Sequence, residues 1–232
     1  MKKIVFLFII SIVSLSASAQ INFYKLSVGL NGGINRYIGD ITYEPKFKPT
    51  IALTGDFNIT PFSSVGLEIQ KGTLSAGDSI KDPHQRYFKN SYTTIIIGGK
   101  VGLGQVVNTD NNKFLTAVKG FYLGTGVGFM MNNMKEINRY TDNGEGGQYK
   151  FPGKDKATNL LIPANIGFNF PFQDHWGYTR VTLNVNYQFN YSLGEDMDGY
   201  DDPPSKFENH YYDTYHNFTV GVKYSFGPEG IF

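Results

Sequence analysis

The chain has 232 residues, of which 41% are hydrophobic, 16% aromatic and 18% charged; the hydrophobic share is too large for a disordered chain, and the charged share lies below the roughly 25% of ordinary soluble domains. Lys and Arg number 21 and Asp and Glu 20, so the net charge of +1 gives no basic field that would recruit nucleic acid. The absence of cysteine excludes a disulfide framework, a thiolate zinc site, a cysteine nucleophile and a lipid anchor on an N-terminal cysteine.

The N-terminal residues have the pattern of an export signal. A pair of lysines precedes the apolar run Ile4–Leu15, and Ala17-Ser18-Ala19 then matches the small-x-small cleavage pattern. The apolar run is well short of the roughly 20 residues that a membrane-spanning helix needs, which argues against a retained anchor. The sequence therefore predicts a cleaved signal peptide over 1–19 and a single exported domain over 20–232.

Beyond residue 20, apolar and polar residues alternate with period two, which is typical of strands with two different faces. The pattern recurs in eight segments, each about as long as a tilted strand that crosses a bilayer. They are Leu26–Ile34, Ile51–Ile59, Val65–Leu74, Thr93–Leu103, Phe121–Met131, Leu160–Phe170, Arg180–Tyr191 and Asn217–Phe226. The sequence therefore predicts an all-β fold, an eight-stranded antiparallel transmembrane β-barrel with an up-and-down meander.

Alternation by itself fits a soluble barrel as well, so the direction of the two faces needs other evidence. The polar faces carry Asn, Gln, Thr, Ser and Gly with few Lys or Glu, unlike a solvated exterior. Tyr and Phe stand near the ends of the apolar faces, as in aromatic girdles, and long connectors alternate with short ones except at Gly104–Gly120. These features favour a barrel in the outer membrane, with its long loops outside, over a soluble lipocalin-like barrel.

Five charged residues fall on the polar faces and would share the periplasmic half of the interior. An isolated buried charge is heavily penalised, and an eight-stranded barrel is just wide enough to be filled by side chains. We therefore expect an ion-pair cluster that plugs the barrel; a narrow pore for small solutes is the alternative. The cluster consists of Asp56, Glu68, Lys100, Arg180 and Lys223.

The connector before the last strand is acidic. Carboxylates at alternate positions around Gly199 have the ligand type that Ca²⁺ prefers, but the complete calcium-loop pattern with its terminal Glu is not present. A solvated acidic loop and a divalent-cation site therefore both stay open, with the solvated loop favoured. The acidic residues are Glu195, Asp196, Asp198, Asp201 and Asp202.

No catalytic set, metal site or cofactor site is predicted. The four histidines are scattered over loops and strand edges, and no spacing forces one of them against a serine such as Ser192 or Ser205. A lipid-modifying enzyme is therefore only a second alternative. The aromatic residues of the turn Pro171–Thr179 fit an interface belt, with docking of a periplasmic protein as the other interpretation.

Both ends of the mature chain resemble small outer-membrane barrels from the Bacteroidetes lineage. The first hairpin of those barrels is similar to Leu26–Gly33 and Arg36–Ile41, and their closing strand is similar to Asp213–Tyr215 and Phe218–Gly227. That group includes PorG-like components of the type IX secretion system and the barrel halves of OmpA-like proteins. The resemblance implies a non-enzymatic structural or partner-binding component of the cell envelope, with a role in type IX secretion as the finer expectation.

Three kinds of partner are expected. The apolar faces predict contact with outer-membrane lipid, the filled lumen and long loops favour a periplasmic or outer-membrane protein, and the resemblance implies the barrel-insertion machinery during biogenesis. In this group an aromatic-rich final strand is the signal that the insertion machinery recognises. Here that signal strand carries Phe218, Val220, Val222, Tyr224 and Phe226.

Overall fold

The computed structural model describes residues 22–41, 44–82, 84–107, 118–142, 148–201 and 213–231. The signal peptide predicted over 1–19 lies outside this range. The described residues form ten strands: β1 (Asn22–Ile38), β2 (Lys48–Asn58), β3 (Ser63–Gly77), β4 (Tyr87–Gly102), β5 (Phe121–Ile137), β6 (Tyr140–Asp142), β7 (Gln148–Lys150), β8 (Lys156–Gln173), β9 (Thr179–Ser192) and β10 (Thr214–Ile231).

Eight of these strands form a closed ring in the order β1-β2-β3-β4-β5-β8-β9-β10, each antiparallel to its neighbours. The pairing of β10 with β1 runs from Asn22↔Ile231 to Ile38↔Thr214 and closes the barrel, so the sheet has no free edge. The predicted eight-stranded antiparallel meander is confirmed. The hairpin of β6 and β7, within the connector between β5 and β8, was not predicted.

The two ends of the barrel differ. At one end, here called the loop end, β1, β3, β5 and β9 finish and β2, β4, β8 and β10 begin. At the other, the turn end, β2, β4 and β8 finish and β3, β5 and β9 begin, together with the start of β1 and the finish of β10. The interior between the two ends is called the lumen.

Several strands are longer at the loop end than the alternation predicts. β4 begins at Tyr87 rather than at Thr93, and β5 continues past Met131 to Ile137. The added outward positions of β4 and β5 are mostly polar and include the ion pair of Lys89 Nζ with Glu136 Oε1 at 2.7 Å. Strands pair through backbone hydrogen bonds, which do not require apolar side chains. Alternation appears only where one face of the strand lies in an apolar environment, so the alternating pattern ends before the strand does.

The barrel is inverted relative to a water-soluble domain, in which large apolar residues are mostly buried. Its outward faces carry exposed apolar side chains on every long strand, with Leu30 on β1 66% exposed. Its inward faces carry buried amides and hydroxyls, among them Asn31, Thr94, Gln188 and Asn190. The polar faces therefore point into the lumen, as the sequence predicts. In the described parts of the chain, no helix has the length and hydropathy of a membrane span.

Candidate functional site

Three of the five predicted lumen charges meet near the turn end. Asp56 on β2 is central: Lys223 Nζ on β10 donates to its Oδ2 at 2.6 Å, and Lys100 Nζ on β4 lies 3.8 Å from its Oδ1. The three side chains are 4%, 9% and 18% exposed, respectively. Neither β4 nor β10 is a neighbour of β2 in the ring, so one carboxylate ties three strands together across the lumen.

Glycines on the adjacent strands provide the space for these lysines, since Gly29 on β1 pairs with Lys223 and Gly124 on β5 pairs with Lys100. A Cβ atom on Gly29 would lie 2.8 Å from Lys223 Cγ, and one on Gly124 would lie 2.9 Å from Lys100 Cγ. Both distances are too short for ordinary carbon contacts. The inward glycines therefore decide where the lysine stems run, because a methyl group at either position would displace them.

Arg180 lies apart from the other four predicted members. Its Nη2 is 3.2 Å from Asp174 Oδ2, and its guanidinium stacks 4.0 Å from the centre of the Tyr24 ring. The Arg180 side chain is one-third exposed at the rim of the turn end. Asp174 was not in the predicted set because it belongs to the turn between β8 and β9, where alternation assigns no face.

Glu68, the remaining member, faces a layer of amides on the loop side of the ion pair. Gln70 Nε2 donates to Glu68 Oε1 at 2.5 Å and also hydrogen-bonds Gln188 across the lumen. Asn217 Nδ2 donates to Gln70 Oε1 at 2.8 Å, and Tyr215 Oη donates to the same oxygen at 3.3 Å. These contacts fill the middle of the lumen with hydrogen-bonded side chains from β3, β9 and β10.

The loop end is filled by apolar side chains that come from two connectors. Phe151 follows β7, and Met197 and Tyr200 follow β9; all three are at most 4% exposed and pack with Tyr37 of β1 and Phe88 of β4. These five residues are here called the mouth cluster. In the sequence, the feature that indicates this cluster is the presence of Met197 and Tyr200 within an otherwise acidic, Gly-rich connector.

Hydrogen bonds hold the connector between β9 and β10 in this position. Asn90 Nδ2 on β4 donates to the carbonyl oxygen of Met197 at 2.8 Å. Tyr200 Oη donates to the carbonyl oxygen of Asn138 at 2.6 Å, and Arg139 Nη1 donates to that of Gly199 at 2.7 Å. The connector is thus attached to both β4 and the segment after β5.

Two buried carboxyl groups share one tyrosine beneath this connector. Tyr37 Oη donates to Asp213 Oδ1 at 2.6 Å and lies 3.1 Å from Asp198 Oδ2. The backbone N–H groups of Met197 and Tyr200 donate to Asp213 Oδ2 and Asp198 Oδ1, each at 3.0 Å. Burial raises the pKa of Asp198 to about 7, and burial together with the nearby Asp198 raises the pKa of Asp213 well above its ordinary value.

The predicted acidic loop does not converge on one point. Asp198 is buried against the tyrosine just described, whereas Asp196 Oδ1 lies 3.4 Å from Lys154 Nζ on the surface. Asp202 lies outside the described residues. Among the residues that the structure does describe, no group of three or more His, Asp or Glu side chains could hold a metal ion.

The other predicted residues lie on the outer wall or at the loop end. The apolar side chains of the predicted signal strand (Phe218, Val220, Val222, Tyr224 and Phe226) all face outward on β10. His216 also faces outward and hydrogen-bonds Tyr187, whereas Ser192 is buried on the lumen side, where its hydroxyl donates to the carbonyl oxygen of Gly194 at 2.7 Å. The candidate base and nucleophile are therefore on opposite faces of the barrel wall; Ser205 and His210 lie outside the described residues.

No protein-family model matches the chain, and no curated protein matches it in sequence. Among solved structures it is similar to Neisserial surface protein A, with 10% identity over 90% of this chain and 100% of that chain and a TM-score of 0.47. It is also similar to Ail, the attachment invasion locus protein of Yersinia pestis, at 12% identity over 88% and 99% of the chains (TM-score 0.43). The outer membrane protein OprG of Pseudomonas aeruginosa matches at 9% identity over 89% and 98% (TM-score 0.40). Likenesses this distant say nothing about the activity of this chain.

Proposed function

We propose that this chain is a non-enzymatic integral barrel of an outer membrane, closed to solutes, that serves as a structural or partner-binding component of the cell envelope. The exposed apolar outer wall supports membrane insertion, because leaving it in water costs about 25 cal/mol for each Å² of apolar surface. The buried amides and charges are inside, where lipid does not reach them. A barrel is also the one strand-based structure that spans lipid with every backbone group paired.

The mouth cluster is the observation that supports closure. Phe151, Met197 and Tyr200 lie in the loop-end opening with almost no exposed surface, and hydrogen bonds attach their connectors to the wall. Below them, the amide layer and the ion pair of Asp56 cross the lumen in turn. A hydrated path for solutes would have to break all three levels.

Single-channel recording in planar bilayers tests closure. We expect the refolded protein to give no stable conductance steps, and the variant Met197→Gly/Tyr200→Gly, which removes two of the five side chains of the mouth cluster, to give at most brief openings. Stable, uniform steps from the unaltered protein would contradict closure and would favour the narrow pore instead. Failure of the protein to enter lipid vesicles at all would contradict membrane insertion.

We propose further that the barrel binds another protein of the cell envelope. The resemblance of the first hairpin and the closing strand implies a role in type IX secretion. An exposed aromatic pair at the turn end supports a periplasmic contact: Trp176 is 80% exposed and Phe172 58%. A photo-crosslinker in place of Trp176, with one in place of Ile80 at the loop end as a control, tests it in native membranes. We expect a reproducible adduct from the turn end; no adduct there, together with normal secretion in a deletion strain, would contradict this role.

A further inference from the structure

A cavity opens at the turn end of the lumen, on the opposite side of the ion pair from the mouth cluster. Its volume is ≈ 240 Å³. Lys100 of β4 and Lys223 of β10 line its inner part, and Lys119, in the connector before β5, lines it nearer the opening. Counting about 30 Å³ for a water molecule in the liquid, the space corresponds to roughly eight waters. It is therefore the size of a small organic molecule.

The charge lining this cavity has one sign. Three lysines contribute to its wall, and no described residue that lines it is acidic. Asp56 lies behind the floor and is in contact with two of the three ammonium groups. On the loop side of the floor, Glu68 accepts its hydrogen bonds from Gln70 and Gln188. At the rim, Asp174 accepts a hydrogen bond from the lining residue Tyr24 and is paired with Arg180. One carboxylate thus contacts two ammonium groups at the floor, and a third ammonium stands at the wall.

The inner end of the cavity, formed by Lys100 and Lys223 and here called its floor, lies where the attraction for an anion is strengthened. Lys100 and Lys223 lie inside the barrel wall, with side chains at most 18% exposed, at a level where the outward side chains are apolar. A cleft lined by one sign of charge with low-dielectric walls focuses the field and raises the local concentration of counter-ions. Lysine binds carboxylate and phosphate groups alike, as a point charge with three donors.

The rim of the cavity differs from the floor. Phe23 from the start of β1, Phe62 from the turn between β2 and β3, and Pro171 from β8 line it. Tyr122 adds an aromatic wall, and its hydroxyl already donates to Asn186 at 2.9 Å. The cavity therefore offers cations at its inner end and apolar surface at its opening.

We propose that the turn-end cavity binds a small organic anion, with a carboxylate or phosphate group at Lys100 and Lys223 and an apolar part against Phe23 and Phe62. This site goes beyond the proposed closed barrel and does not depend on it, because the residues that line the cavity lie at the turn end. A ligand here would approach from the side of the membrane that holds the short turns.

Benzoate tests the proposal, because it combines a carboxylate with an apolar ring of suitable size. The refolded protein is kept in maltoside micelles, which contain no phosphate or carboxylate, and binding is followed by two-dimensional NMR. We expect saturable shifts that centre on Lys100, Lys223 and Phe23. Benzyl alcohol, the neutral counterpart, is expected to give none, and inorganic phosphate is expected to displace benzoate.

Two lysine variants and one control separate charge recognition from general effects. Lys119→Gln alters the wall without touching the ion pair and is expected to weaken benzoate binding about threefold, as for a partly solvated charge. Lys100→Met removes a floor charge and is expected to weaken it at least about tenfold. Lys71→Gln, exposed on the outer wall near the loop end, is expected to leave it unchanged.

Three results would overturn the anion site. Benzyl alcohol could bind as tightly as benzoate, phosphate could fail to compete, or Lys119→Gln and Lys71→Gln could give the same affinity. The Lys119→Gln result decides the matter even if Lys100→Met does not fold. None of these outcomes bears on single-channel conductance, so the failure of this site is distinct from failure of the closed-barrel proposal.

Discussion

The buried carboxyl pair beneath the connector between β9 and β10 makes the closure of the loop end dependent on pH. Asp198 and Asp213 share the hydroxyl of Tyr37, and both have a raised pKa. Asp40 adds to the negative charge acting on both carboxyls, whereas Arg86 favours ionisation of Asp198. A raised pKa means that the docked connector favours the protonated carboxyl more strongly than the undocked connector does.

The sign and size of the effect follow from this difference. Below about pH 4 both carboxyls are protonated whether or not the connector is docked, so the docking free energy is fully present. As the pH rises from there through about 7, the undocked carboxyls ionise first and docking is progressively lost. For Asp198 alone, the rise in pKa from 3.8 to about 7 corresponds to about 4 kcal/mol at 1.36 kcal/mol per pKa unit.

The variant Asp198→Asn removes the part of this dependence that Asp198 contributes, while buried Asp213 retains its own. An asparagine keeps a carbonyl oxygen that accepts from the N–H of Tyr200, and its amide can donate to the Tyr37 oxygen. Both hydrogen bonds of this side chain are therefore retained. We expect the connector of Asp198→Asn to stay docked to a higher pH than that of the unaltered protein. Asp196→Asn, which changes a partly exposed carboxylate in the same connector, is the matched control.

The methyl resonance of Met197 reports docking directly, since this side chain is fully buried in the mouth cluster and the chain has only five methionines. Between pH 4 and pH 8 its shift should move toward that of a solvated methionine in the unaltered protein and in Asp196→Asn, but much less in Asp198→Asn. The same titration in all three proteins, or none in any, would refute the reasoning.

Three further predictions concern the wall and the lumen. Lys223→Met leaves a buried carboxylate with one ammonium at 3.8 Å and should lower the free energy of unfolding in lipid vesicles by about 3–5 kcal/mol; an unchanged urea midpoint would show that the pair contributes little. Gly33→Ala should destabilise by about 1–3 kcal/mol, because its Cβ would lie 1.9 Å from the Phe218 carbonyl oxygen; its neighbour Gly32, with nothing within 4 Å, should tolerate alanine. Leu30→Arg should reduce the free energy of insertion by about 2–4 kcal/mol, whereas Ile80→Arg, in a loop, should not; equal effects would refute a lipid-facing wall.

Some features of the lumen follow from the strand pattern and others do not. Alternation assigned Asp56, Lys100 and Lys223 to the same interior, and the structure brings them into contact. It also assigned Arg180 to this cluster, but the register of β9 places Arg180 at the rim, where a turn residue supplies its acid. The two-residue alternation tells which face of the sheet a side chain is on. It does not tell where along the barrel axis that side chain lies relative to residues on distant strands.

The strand periodicity, together with the residue types on each face and the connector lengths, determined the all-β class, the number of long strands and the face that turns inward, because each can be read from residues that are close together in the sequence. Only the tertiary structure decided which inward residues meet, that two connectors fold back to fill the loop end, and that a cationic cavity remains at the turn end. These depend on the stagger of eight strands around a closed ring and on contacts between segments far apart in the chain, such as Tyr37 with Asp213. No local pattern records such distances, because they are fixed when the last strand pairs with the first.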